Sequence, residues 1–174
     1  DIGKMEMPMY FIENQASGMN PHEDMSYDES AAIIIGHVIK GIEIAKKHNL
    51  PEQIIDFIRT HHGTTITTYF YRSFQNAFPE EQVNIEKFRY PGPIPFSKET
   101  AVLMMADSVE AASRSLKKYD AESIDNLVEM IINKQIEQNQ FINADITFKD
   151  INKLKKIFKK KLMNIYHLRV EYPR

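Results

Sequence analysis

Apolar residues recur along this chain at intervals of three and four, and the strict alternation of a half-buried strand is scarce. The pattern predicts an all-α domain. From Ser26 the run Ser-Tyr-Asp-Glu supplies a capping box with Glu29 at the third helical position, after which Ile33, Ile34, His37, Gly41, Ile44 and Ala45 share one face. That helix is expected to end near His48 and Asn49. Pro51 suits the first turn of a second helix with Ile54, Ile55, Phe57 and Ile58 on its apolar side, and Gly63 is expected to end it. A short aromatic segment, Tyr69-Phe70-Tyr71, then leads to the loop "RYPGPIPFSKET", whose three prolines exclude regular structure. Ser97 can cap "KETAVLMMADSVEAASRSL", the strongest helix by propensity and pattern. Two more helices are predicted, from about Glu122 to Gln138 and from Thr147, with Asp150 as its capping-box partner, to about Tyr166. The lysine-rich "KLKKIFKKK" carries Leu154, Ile157, Phe158 and Leu162 and reads as an ordinary solvated helix.

At 174 residues the chain can bury a core of its own, and its composition suggests one compact domain. A net charge of -2 excludes gripping DNA by bulk electrostatics, but leaves room for a small anionic ligand held by a few placed cations. The absence of cysteine removes disulfides, thiolate metal sites and cysteine nucleophiles, so any metal must be held by imidazole and carboxylate. No apolar run approaches the ~20 residues that span a bilayer, and no secretory leader opens the sequence. The chain begins at Asp1 rather than at a methionine, and is read as a soluble, cytosolic piece of a longer polypeptide.

Of six histidines, three draw attention. His37 falls on the apolar face of its helix, either as a core histidine bonded to a carbonyl or as a ligand. His61 and His62 are adjacent, and helical neighbours point about 100° apart, so the two rings converge on one object only where the helix ends. The alternative is an exposed pair favouring the helix dipole. Asp107 lies within "AVLMMADSVEAA" with Leu103 and Met104 before it and Ala111 after, and is expected to face the core. A carboxylate buried there must be protonated, ion-paired or bound to a metal. Imidazoles and a carboxylate together suit first-row divalent ions.

"DIGK" at the start, His37 alone on its helix, the His61-His62 doublet and the late Asp107 resemble the HD-domain metal-dependent phosphohydrolases. Within them, "FIENQ", "NPHEDMS", "DFIRTHHGTT", "YFY", "RYPGPIPFSKETA" and "ADSVEAASRSL" are similar to the catalytic domain of the seven-transmembrane HD proteins, the PgpH-type cyclic di-AMP phosphodiesterases. Relatives that cleave cyclic di-GMP match less well, because no GYP-like loop follows the doublet.

The resemblance implies an HD helical bundle that hydrolyses cyclic di-AMP to pApA with two divalent transition-metal ions, manganese or iron. Asp1 would bridge them, His37, His61 and His62 would bind one, and Asp107 the other. The family pattern also has a histidine just before the position of Asp1 and another on an earlier helix, both expected to lie ahead of this sequence. The fragment as it stands is therefore expected to lack part of the second ion's ligand set. Lys4 would supply charge near the phosphate or merely end its helix, and Arg114, seven residues after Asp107, would reach a phosphate or lie on the surface. Tyr69, Tyr71 and Tyr90 would stack on adenine or pack in the core, and Thr64, Thr65 and Lys98 would donate to phosphate. The resemblance further implies a cytoplasmic domain of a bacterial inner-membrane protein, without direct membrane contact of its own. A homodimer is compatible with this reading, and the alternative functions are a non-catalytic cyclic-dinucleotide sensor and an HD hydrolase of another nucleotide such as cyclic di-GMP.

Overall fold

The computed structural model describes residues 1–11 and 20–167, so the "FIENQ" phrase beyond Phe11 lies outside the described residues. Among the described residues six α-helices form: α1 Tyr27–Lys47, α2 Glu52–Thr60, α3 Thr68–Ala77, α4 Lys98–Ser113, α5 Ala121–Glu137 and α6 Phe148–His167. The chain divides into two compact units, Asp1–Pro93 and Ile94–Arg174. The all-α expectation is met, and among the described residues no helix is long and apolar enough to cross a membrane.

In the first unit α1 is the central element, packed by α2, by α3 and by the 3₁₀ segments Ile2–Glu6 and Ile85–Phe88. Its start follows the sequence: Ser26 Oγ accepts from the Glu29 amide, and the Glu29 carboxylate accepts from the Ser26 amide, satisfying donors that a helix end leaves open. Ala31, His37, Val38, Gly41 and Ala45 are buried along it. Gly3 allows the first 3₁₀ segment to lie directly on α1, because a Cβ there would stand 1.9 Å from the His37 carbonyl oxygen. α2 ends at Thr60, before Gly63, whose φ of 52° turns the chain away.

α3 extends what the sequence presents as a short aromatic segment. Tyr, Phe and Thr favour strands locally, but Tyr71 and Phe74 meet Phe88 edge-on at 5.6 and 6.0 Å, and this packing selects the helix. Before α3, the residues at 64–67 run antiparallel to those at 88–90. Thr67 N donates to Phe88 O at 2.8 Å, Tyr90 N to Thr65 O at 2.9 Å and Arg89 Nη1 to Thr64 O at 2.9 Å.

The second unit packs α4, α5 and α6 around Met104, Met105, Val109, Ile124, Val128, Ile132 and Leu162. Caps at Ser97, Asp120 and Thr147 start the three helices. The lysine-rich α6 departs from an ordinary solvated helix. Lys155 is 7% exposed and donates to Glu129 at 2.7 Å and Asn133 at 2.6 Å, whereas Ile157, expected inside, is 41% exposed. Ile151, Lys155 and Leu162 share the inward face, and the carboxylate and amide on α5 make the buried ammonium tolerable.

Candidate metal centre

His37 projects from the middle of α1 and His61 from the end of α2, and both rings are buried. In each, Nδ1 donates to the carbonyl three residues earlier: His37 to Ile34 at 2.5 Å and His61 to Ile58 at 2.7 Å. A carbonyl only accepts, so Nδ1 carries the proton and each Nε2 presents a lone pair. The two Nε2 atoms lie 3.1 Å apart. Two lone pairs at that distance repel, and neither neutral ring can donate to the other.

A proton does not resolve this near neutral pH. Burial is the main cause that pushes both imidazoles down to about 4, against the carbonyl bonds that would raise them. A metal cation does resolve it. Two nitrogens each ~2.1 Å from one ion stand roughly 3.0–3.4 Å apart at angles between about 90° and 110°. The donor set therefore fits a divalent metal ion.

His62 completes the group. Ligand atoms of His37, His61 and His62 lie within 4.8 Å of one another. The His62 ring sits 4.0 Å from His61 and is stacked on Tyr90 at 4.3 Å with the planes 23° apart. Desolvation, then its two neighbouring imidazoles, holds His62 well below its ordinary pKa.

Asp1 reaches the edge of this cluster, with Oδ1 3.9 Å from His37 Nε2. Lys4 Nζ pairs with the same oxygen at 3.1 Å and lies over the Phe11 ring. Gly3, which carries no side-chain chemistry of its own, permits the approach. Its signal is the glycine in Asp-Ile-Gly-Lys, a residue whose missing Cβ lets one backbone lie against another.

The other candidates are placed differently. Asp107 is half-buried rather than core-facing. On a helix turning 100° per residue, the buried side of α4 is set by Ala101, Met104, Met105 and Val109, and Asp107 shares its side with Leu103, which is 38% exposed. Arg114 makes two bonds to Glu110, at 3.0 and 2.8 Å, and Lys98 pairs with Asp150 at 3.2 Å. Thr65 Oγ1 donates to the His62 carbonyl at 2.8 Å, and the Thr64 carbonyl accepts from Arg89. Tyr69 is exposed, and Tyr71 meets Phe88 edge-on while its hydroxyl accepts from Gln75 at 3.2 Å. Tyr90 is 7% exposed and lies with one face against His62, as the core packing also expected for it would have it.

The HD domain family model matches residues 1–112. Cyclic-di-AMP phosphodiesterase PgpH of Bacillus subtilis (strain 168) is 40% identical over 173 residues, 99% of this chain and 24% of that protein. PgpH of Listeria monocytogenes serotype 1/2a is 39% identical over the same shares. The chain thus spans about a quarter of the length of these relatives. The crystal structure of the L. monocytogenes PgpH HD domain superposes with a TM-score of 0.89 at 38% identity, covering 96% of this chain and 77% of that one. The same domain in complex with cyclic di-AMP gives a TM-score of 0.90, covering 95% and 77%.

Proposed function

The chain belongs to the HD-domain family, and from that membership we propose that it is the catalytic domain of a metal-dependent phosphodiesterase that opens cyclic di-AMP to pApA. The observation that carries the proposal is the pair of unprotonated Nε2 atoms of His37 and His61 facing each other at 3.1 Å. A catalytic domain that binds divalent metal needs such donors, and a folded core gains nothing from them. The substrate assignment rests on the cyclic di-AMP complex of a domain 38% identical over nearly the whole chain.

His37, His61 and His62, with Asp1 at their edge, would hold one ion, and Asp107 would be a carboxylate ligand of a second. Family membership favours manganese or iron, and the mixture of imidazole and carboxylate accepts first-row divalent ions generally. When bound, such a pair lowers the pKa of water toward neutrality and stabilises charge on the attacking and leaving oxygens of a phosphodiester. The chain's own residues set the stage. The Ile34 and Ile58 carbonyls fix which ring nitrogen is free, and Lys4 places a cation beside the Asp1 carboxylate. Thr64 and Thr65 follow the doublet, and use of the Thr65 hydroxyl on a phosphate would require it to leave the His62 carbonyl. Use of Arg114 or Lys98 on substrate would require each to leave its present carboxylate partner.

The test has two arms. The 174-residue chain is analysed for bound metal, and the full-length protein is incubated with cyclic di-AMP and Mn²⁺. Appearance of pApA supports the proposal. Tight binding of the dinucleotide without turnover under any first-row metal would replace the enzyme with a sensor.

A further inference from the structure

We propose that Tyr90 is a positioning residue of the metal centre, holding the His62 ring by stacking in the way that backbone carbonyls hold His37 and His61. The proposal rests on the metal-binding reading of the three histidines given above. Its starting point is an asymmetry within the trio. His37 and His61 each have Nδ1 tied to a carbonyl of their own helix. No such bond fixes the His62 ring among the described residues. His62 lies beyond the last residue of α2, in the turn that leads to Gly63, where helical geometry no longer dictates the side-chain direction.

What confines the ring is aromatic contact on its flanks. Tyr90 stacks on it at 4.3 Å and 23°, while His61 lies at 4.0 Å with a 41° tilt. Tyr90 is held firmly enough to act as a wall. It is 7% exposed, its amide donates to the Thr65 carbonyl, and the preceding Arg89 donates to the Thr64 carbonyl. The hydroxyl and amide of Thr65 in turn both donate to the carbonyl of His62. The strip at 88–90 is thereby tied to the turn that carries the doublet, which sets the tyrosine ring against the imidazole. Outer partners that orient a ligating imidazole typically change metal affinity 10- to 100-fold when removed. Here the outer partner is a ring face instead of a hydrogen-bond acceptor.

Cobalt(II) titration of the 174-residue chain, followed by its visible d–d absorption, provides the test. Tyr90→Phe keeps the ring and is expected to bind within about threefold of wild type with the same spectrum. Tyr90→Leu is expected to bind roughly 10- to 100-fold more weakly, with an altered spectrum that reports a displaced ligand. A folded Tyr90→Leu chain with wild-type affinity and spectrum would overturn the proposal, as would a Phe variant as weak as the Leu variant. Were the Leu variant to unfold, the wild-type chain decides: NOEs between the Tyr90 and His62 ring protons support the stack, and their absence overturns it. Failure of wild type to bind cobalt at all would instead remove the metal reading from which the proposal starts.

Discussion

His37 and His61 point their unprotonated Nε2 atoms at each other across 3.1 Å, while both Nδ1 protons are committed to carbonyls. A metal-free fold must hold this repulsion in place, and a bound ion converts it into ligation. Adding Mn²⁺ at about 100 times its dissociation constant is therefore expected to stabilise the chain by ~2.7 kcal/mol. Thermal unfolding with metal or with EDTA checks this. In His61→Ala the metal-dependent rise should vanish, and a rise equal to that of wild type would contradict the site.

The metal-free chain should lose stability on mild acidification. His37 and His61 sit at about 4 in the fold and near ~6.5 when unfolded, so between those values the unfolded chain binds more protons. Stability then rises with pH through the window and falls as pH drops from 6.5 toward 4, approaching about 1.4 kcal/mol per pH unit for each group. His62 adds in the same direction. Asp28 and Asp150, held at about 2, contribute stability that is lost only at lower pH. Urea unfolding in EDTA at pH 7.5, 6 and 5 measures the slope, and a flat profile would show that the imidazoles are not desolvated as the fold indicates.

Gly3→Ala should damage the site more than the fold. The new Cβ would meet the His37 carbonyl at 1.9 Å, so the first 3₁₀ segment must lift from α1 and carry Asp1 with it. Overpacking of this kind costs about 1–3 kcal/mol. Circular dichroism should show the helices intact while calorimetry shows weakened metal binding.

Asp107→Asn tests the remaining carboxylate. If Asp107 binds metal, hydrolysis of cyclic di-AMP should fall roughly 10²-fold or more, the scale on which one electrostatic stabiliser acts. Helix content should stay unchanged. Full turnover in the variant would confine the active metal to the other ligands.

In the second unit, Glu129→Leu should destabilise by about 1–3 kcal/mol, because it leaves the buried Lys155 ammonium with Asn133 as its remaining acceptor among those described. Urea unfolding should show it. Lys155→Met should be close to neutral, since an apolar side chain of similar length needs no partner.

Much of this architecture is legible in local chemistry. Ser26, Ser97 and Thr147 cap their helices as residues of that type do, and the doublet meets His37 because the helical periodicity puts all three rings on inward or terminal positions. What escapes is whatever depends on a distant partner. α3 exists because Phe88 receives its aromatic residues, Lys155 is inside because Glu129 and Asn133 await it, and Tyr90 faces an imidazole because the strip at 88–90 pairs with that at 64–67. Asp107 misleads for a geometric reason: apolar neighbours in sequence lie on other sides of the helix, so they say little about where its carboxylate points.

One consequence concerns the place where α2 stops. The last four residues of a helix keep carbonyls that no later amide of that helix can reach, and Ile58 is among them. Its oxygen is occupied by the His61 ring. The leftover acceptor that every helix terminus must dispose of here selects an imidazole tautomer, so the length of α2 doubles as an instruction about which nitrogen stays bare.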